Sequence, residues 1–149
     1  MSRTILDARM EESVASPQKR KGSQWERDVA SYLKDNGFPF AERAYGAGRP
    51  QDVGDIDGLP GIVLEAKNCA KIELAAWMDE AATERANAWA RYGVVIAKRR
   101  RKPVSDAYAI MPLSQLAQLL VEAGYGAGSG NSLSAMTQRR KTSTTNDGL

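Results

Sequence analysis

The chain has 149 residues, 42% of them hydrophobic and 26% charged, with 21 Lys and Arg against 18 Asp and Glu. That length allows one domain with a proper core, and the composition is that of an ordinary globular protein. There is no histidine and only one cysteine, Cys69, which excludes Ser-His-Asp and Cys-His nucleophilic sites, zinc sites built on His or several Cys, and an internal disulfide.

No apolar run approaches the roughly 20 residues of a membrane span. The opening residues, MSRTILDARMEESVASPQKRK, lack the apolar centre of a signal peptide. The expectation is a cytoplasmic protein with no membrane partner. Residues 1–20 are polar and without a sustained period, so they read as a flexible basic arm. A helix is predicted from Gln24 to Asn36, with Trp25, Val29, Tyr32 and Leu33 on one face and Gly37 as its stop. Residues 38–44 (FPFAERA) read as a first strand, and YGAGRPQDVG, 45–54, as a glycine-rich loop.

Two strands follow, 53–58 and 61–68, around a Pro-Gly turn. A second helix over 73–90 carries Leu74, Trp77, Met78, Ala81, Arg85 and Ala88 at helical spacing. Residues 92–99 (YGVVIAKR) read as a buried strand and 106–112 as a short one. Pro112 opens a last helix with Leu113, Leu116, Ala117 and Leu120, stopped by Gly124. Beyond it, residues 125–149 are too polar to offset their chain entropy and are predicted to form a disordered basic tail. The sum is an α/β domain over 21–124 with a mixed sheet flanked by helices, in the order helix, three strands, helix, two strands, helix.

The central strands carry the chemistry. In GDIDGLPGIVLEAKN, residues 54–68, side chains alternate faces, so Glu65 and Lys67 share one face with Val63, while Ile62, Leu64 and Ala66 form the apolar face expected to meet the helices. Asp55 and Asp57 share a face, with Ile56 opposite; Asp57, beside the turn, reads as structural. If residues whose numbers sum to 120 face each other across the turn, Asp55 lies opposite Glu65, about 5 Å away. A plain Pro-Gly turn pairing 59 with 62 gives an odd sum, so a bulge or a three-residue connection is expected here. Two carboxylates so close repel unless a cation neutralises them, and hard oxygen donors suit magnesium. Lys67 beside them can orient water or stabilise charge developing on a phosphate. Two acids and a lysine around one metal are an apparatus for phosphodiester hydrolysis; the bland alternative is a solvent-facing hairpin with an ordinary Glu-Lys pair.

Basic residues are clustered. Lys98, Arg99, Arg100, Arg101 and Lys102 follow the fourth strand, and Arg139, Arg140 and Lys141 lie in the tail. Such clusters attract polyanions, or they are solvated surface. Arg20, Lys21 and Ser23 precede the predicted first helix, where backbone N–H groups and basic side chains suit a phosphate. Ser23-Gln24-Trp25-Glu26 also has the spacing of a capping box, which would make Glu26 a helix cap. Trp77 and Trp89 read as helix core or dimer surface, and Cys69 as filling.

Asp55 together with Glu65-Ala66-Lys67 resembles the PD-(D/E)XK nuclease superfamily, with Gly54 in place of the nominal proline. RKGSQWERDVASYLKDNGF, residues 20–38, is similar to the opening helix of the archaeal-type and phage Holliday junction resolvases. The likeness covers about Arg20 to Asn68. It implies a restriction-endonuclease-like fold and a magnesium-dependent endonuclease, manganese substituting, that cuts four-way DNA junctions as a homodimer and leaves a 5′-phosphate and a 3′-hydroxyl. It further implies that Asp55, Glu65 and Glu26 hold the metal, Glu26 being ligand rather than cap, and that Lys67 positions the water; apart from the resemblance, the compact size and flexible tails would suit a phage-encoded protein. Two alternatives stand beside it: a nuclease of the same fold acting on flaps, single strands or a specific duplex, and a non-catalytic DNA-binding module.

Overall fold

The structure, a computed structural model, describes residues 16–45 and 53–127. The predicted arm up to Ala15, most of the glycine-rich loop and the tail from residue 128 lie outside the described residues. The chain divides into two compact units, Met1–Ile110 and Met111–Leu149.

The first unit is mixed α/β. Its elements are α1 (Pro17–Asp35), β1 (Glu42–Arg43), β2 (Ile56–Asp57), β3 (Ile62–Lys67), α2 (Leu74–Asn87), β4 (Tyr92–Ala97) and β5 (Tyr108–Ile110), with a 3-10 turn at Val104–Asp106. The five strands form one open sheet in the order β1-β2-β3-β4-β5. Only β3 and β4 run parallel, with Glu65 beside Val95 and Lys67 beside Ala97; the other neighbours are antiparallel. That parallel pair needs a crossover, which α2 supplies.

α1 begins earlier than its apolar stripe predicts. Ser16 caps it, its hydroxyl accepting from the Lys19 N–H at 3.3 Å, and Pro17 follows in the first turn. A Ser-Pro pair is a strong start signal, because the hydroxyl satisfies an orphan N–H and proline has none to leave orphaned. Residues 17–20 are therefore helix, not arm. Arg20 and Lys21 lie inside the helix, and the Arg20 N–H is already bonded to the Ser16 carbonyl. The argument that their backbone would cradle a phosphate at a helix start is overturned. So is the capping box: Ser23 and Glu26 are mid-helix.

The two faces of the sheet carry separate cores. On one, Trp25, Val29 and Ala30 of α1 pack with Ala41, Ile56 and Leu64. The Trp25 indole N–H donates to the Ile96 carbonyl at 3.1 Å, tying α1 to β4. On the other, Trp77 and Ala81 of α2 pack with Val95 and Ala97. The face that carries Glu65 and Lys67 is thus covered by α2, and Glu65 is buried (7% exposed). The first predicted strand contracts to two residues, since Phe38 and Phe40 are exposed. Trp89 is 94% exposed just past the end of α2 and belongs to no core.

The hairpin solves the register problem through glycine. Ile62 donates its N–H to the Leu59 carbonyl at 3.2 Å, closing a type II turn with Pro60 and Gly61 (φ +82°) in the middle. That closure alone would give the odd sum. Yet β2 and β3 pair Ile56 with Leu64, an even sum of 120. Gly58 is the extra residue that restores it: its φ is +89°, and a Cβ there would lie 1.9 Å from the Phe40 carbonyl oxygen. Only glycine fits.

The second unit contains α3 (Leu113–Glu122), opened by Pro112 and ended at Gly124, whose φ is +91°. Its last carbonyls are satisfied by the N–H groups of Ala123, Gly124 and Tyr125. Among the described residues, no helix is long and apolar enough to cross a membrane.

Candidate active site

Asp55 stands immediately before β2, and its carboxyl lies close enough to that of Glu65 for the two side chains to interact directly. The Asp55 N–H donates to the Leu64 carbonyl at 2.9 Å, and Asp55 Oδ2 accepts from the Ala66 N–H at 2.8 Å. The carboxylate is therefore locked against β3 by its own backbone and side chain. Gly54 precedes it at φ +102°, a conformation closed to proline, and a Cβ there would lie 2.9 Å from Val63 Cγ1 and 3.1 Å from the Leu64 carbonyl oxygen.

The pair is under electrostatic stress. Burial pushes the Asp55 carboxyl up to about 7, and the neighbouring Glu65 and Glu26 add to the rise, against the Ala66 hydrogen bond. Lys67 shows the opposite balance. Burial disfavours its charge, but its bonds to Glu65 and Glu80 outweigh that and raise it above its ordinary value. Its Nζ lies 2.7 Å from Glu65 Oε1 and also contacts Glu80 Oε2.

Glu26 projects from α1 but is engaged elsewhere: its Oε2 accepts from Arg43 Nε, while Arg43 Nη2 donates to Ser23 Oγ at 2.8 Å. Asp55 and Glu65 are thus together, and Glu26 is near enough for its charge to be felt at Asp55. Among the described residues, no three His, Cys, Asp or Glu side chains form a ready metal-binding group. The donor set nevertheless suits a hard cation: two adjacent carboxylates, all-oxygen, with an ionisation penalty that a positive ion relieves.

The basic run lies at the same end of the sheet. The Lys98 N–H donates to the Lys67 carbonyl at 2.9 Å, so the turn carrying Arg99 to Lys102 begins directly beside the end of β3. The Lys98 ammonium stands over the Trp25 ring at 5.3 Å and the Arg99 guanidinium over Tyr108 at 5.1 Å. Arg100, Arg101 and Lys102 are exposed. The first half of α1 reaches this end too, since Asn68 Nδ2 donates to the Lys21 carbonyl at 3.4 Å.

Comparison with protein-family models, curated proteins and solved structures returns no match.

Sequence reading missed two residues of the cluster, Arg43 and Glu80. Glu80 carried a faint signal: with Trp77, Ala81 and Glu84 it falls at i, i+3, i+4 and i+7, an acid on the stripe that faces the sheet. Arg43 carried none, because a single basic residue on an edge strand is ordinary.

Proposed function

We propose that the protein is a magnesium-dependent DNA endonuclease of the PD-(D/E)XK type that cuts four-way junctions, as a homodimer whose two sites make paired cuts. The observation that carries this reading is the meeting of Asp55, Glu65 and Lys67 at the sheet end where the basic turn 98–102 starts. A helix, three strands, a crossover helix and a parallel strand form the frame, which supports a restriction-endonuclease-like core.

Asp55 and Glu65 would hold the cation, and Glu26 would complete the set once its charge is no longer taken up by Arg43. Bound magnesium supplies Lewis-acid polarisation of the phosphate and a more acidic water. Lys67 donates an N–H to that water or to a non-bridging phosphate oxygen, where negative charge grows. Arg100, Arg101 and Lys102, with Lys21, bind flanking phosphates and set the strand's path without reading bases. The acids need that basic frame, since DNA would otherwise be repelled.

The test is cleavage of a mobile four-way junction, a linear duplex and a flap, with magnesium, with manganese and with chelator. Paired cuts in the junction alone, dependent on the ion, are expected. Cuts restricted to flap or duplex would move the substrate within the same chemistry. Binding without any cut in either ion would replace it with a DNA-binding module.

A further inference from the structure

We infer that Glu80 is a positioning residue for Lys67, holding its ammonium from the α2 side when Glu65 turns its oxygens to a divalent cation. The inference rests on the nuclease reading above and goes beyond its motif, which contains no residue of α2. An ammonium has three N–H donors. In this site two are engaged, one by Glu65 Oε1 and one by Glu80 Oε2, which leaves one for water or phosphate. The two acceptors differ in what they can do. Glu65 is buried, lies on β3 and is a candidate ligand, so the lone pairs that hold Lys67 are those a cation would take. Glu80 comes from another element and has a half-exposed side chain, with no part in the Asp55–Glu65 pair.

Glu80 is also well anchored. Trp77 and Ala81, three residues before it and one after, are buried at 5% and 1% exposure, which fixes the helix against the sheet at this point. A surface ion pair would contribute little and nothing specific. Here one partner is largely buried and, on the present reading, donates into the reaction, so its direction matters more than the stability of the pair. An acid so close to the path of DNA opposes binding; bonded to Lys67, its charge is neutralised locally.

The experiment has two arms on the full-length protein. In the first, the lysine ammonium resonances are recorded by NMR at saturating magnesium, where Glu65 is turned to the cation, the Lys67 signal being identified by its loss in Lys67→Arg. The wild type should show a slowly exchanging signal that persists in Glu80→Asp and broadens away in Glu80→Ala. In the second, single-turnover junction cleavage is measured alongside junction affinity. Glu80→Ala should slow cleavage about 10- to 100-fold, the scale expected of a misplaced group, with affinity and melting temperature unchanged. Glu80→Asp should recover most of the rate, and Glu80→Ala should add nothing in a Lys67→Ala background. An unaltered Lys67 signal, a wild-type rate in Glu80→Ala, or an equal loss with and without Lys67 would each overturn the inference while leaving the nuclease reading intact. A wild type that cuts no DNA with magnesium or manganese overturns the reading, and this inference with it.

Discussion

The Asp55 side chain is bonded to the backbone of Ala66, Oδ2 to N–H at 2.8 Å, across the two strands that form the acidic hairpin. This bond holds the carboxyl beside Glu65, where burial makes it costly to ionise, and a pH dependence follows. The Asp55 carboxyl is raised from 3.8 in the unfolded chain to about 7 by burial, Glu65 and Glu26. A folded state that keeps a proton the unfolded chain releases is most stable below the lower value. Its contribution is lost as pH climbs through the higher one. The metal-free protein should lose stability between about pH 4 and pH 7, by at most about 4 kcal/mol from this group. Magnesium should raise the melting temperature at pH 8 and barely at pH 5.5, where the proton occupies the pair. Equal magnesium gains at the two pH values, by calorimetry, would remove this site from consideration.

Asp55→Asn should separate activity from stability. The amide oxygen can still accept from Ala66, and the ionisation penalty disappears. At pH 8 without metal the variant should melt several degrees above the wild type, on the scale of about 4–8 °C per kcal/mol for a small domain. It should still bind a junction and should not cut it; Glu65→Gln should also bind without cutting. Retained cleavage in either variant would contradict the assignment.

Arg43 bridges Glu26 and Ser23, joining β1 to α1. Its removal leaves Glu26 as an uncompensated third carboxylate near Asp55. Arg43→Met should cost about 1–3 kcal/mol, between the values for exposed and buried pairs. Magnesium should then restore more stability than it adds to the wild type, because it meets a more negative site. A magnesium gain in Arg43→Met no larger than the wild type's would detach Arg43 and Glu26 from the metal centre.

Local signals made most of the frame legible. Trp25 and Val29 at helical spacing, the Pro60-Gly61 turn and the apolar run of β4 each determined their own element. An even register is the one that puts the Asp55 and Glu65 carboxylates on one face, and Gly58 supplies the residue that meets it. What the sequence concealed depends on distant partners. The start of α1 departs from its apolar stripe, which begins at Trp25, whereas the Ser16-Pro17 signal that sets it lies two turns upstream. The burial of Glu65 is not legible in the alternation of β3, because α2 covers a face that the alternation marks as polar. Arg43 and Glu80 were invisible as site residues, since each acquires its role from a carboxylate or ammonium on another element.

The same long-range logic makes Gly58 the most informative position outside the acids. It touches none of them, yet the register that sets Asp55 beside Glu65 depends on its left-handed backbone. Alanine there would meet the Phe40 carbonyl oxygen at 1.9 Å and its carbon at 2.3 Å, a clash that only backbone movement relieves. If the hairpin gives way by losing the extra residue, the pairing shifts by one and Asp55 passes to the opposite face. Gly58→Ala should therefore destabilise the fold by about 1–3 kcal/mol or more. Below its own melting temperature it should also abolish the difference in magnesium-induced stabilisation between pH 8 and pH 5.5. Melting curves at the two pH values, with and without magnesium, check both. A destabilised Gly58→Ala protein that keeps the wild-type magnesium response would mean that the Asp55–Glu65 pairing survives without the glycine bulge.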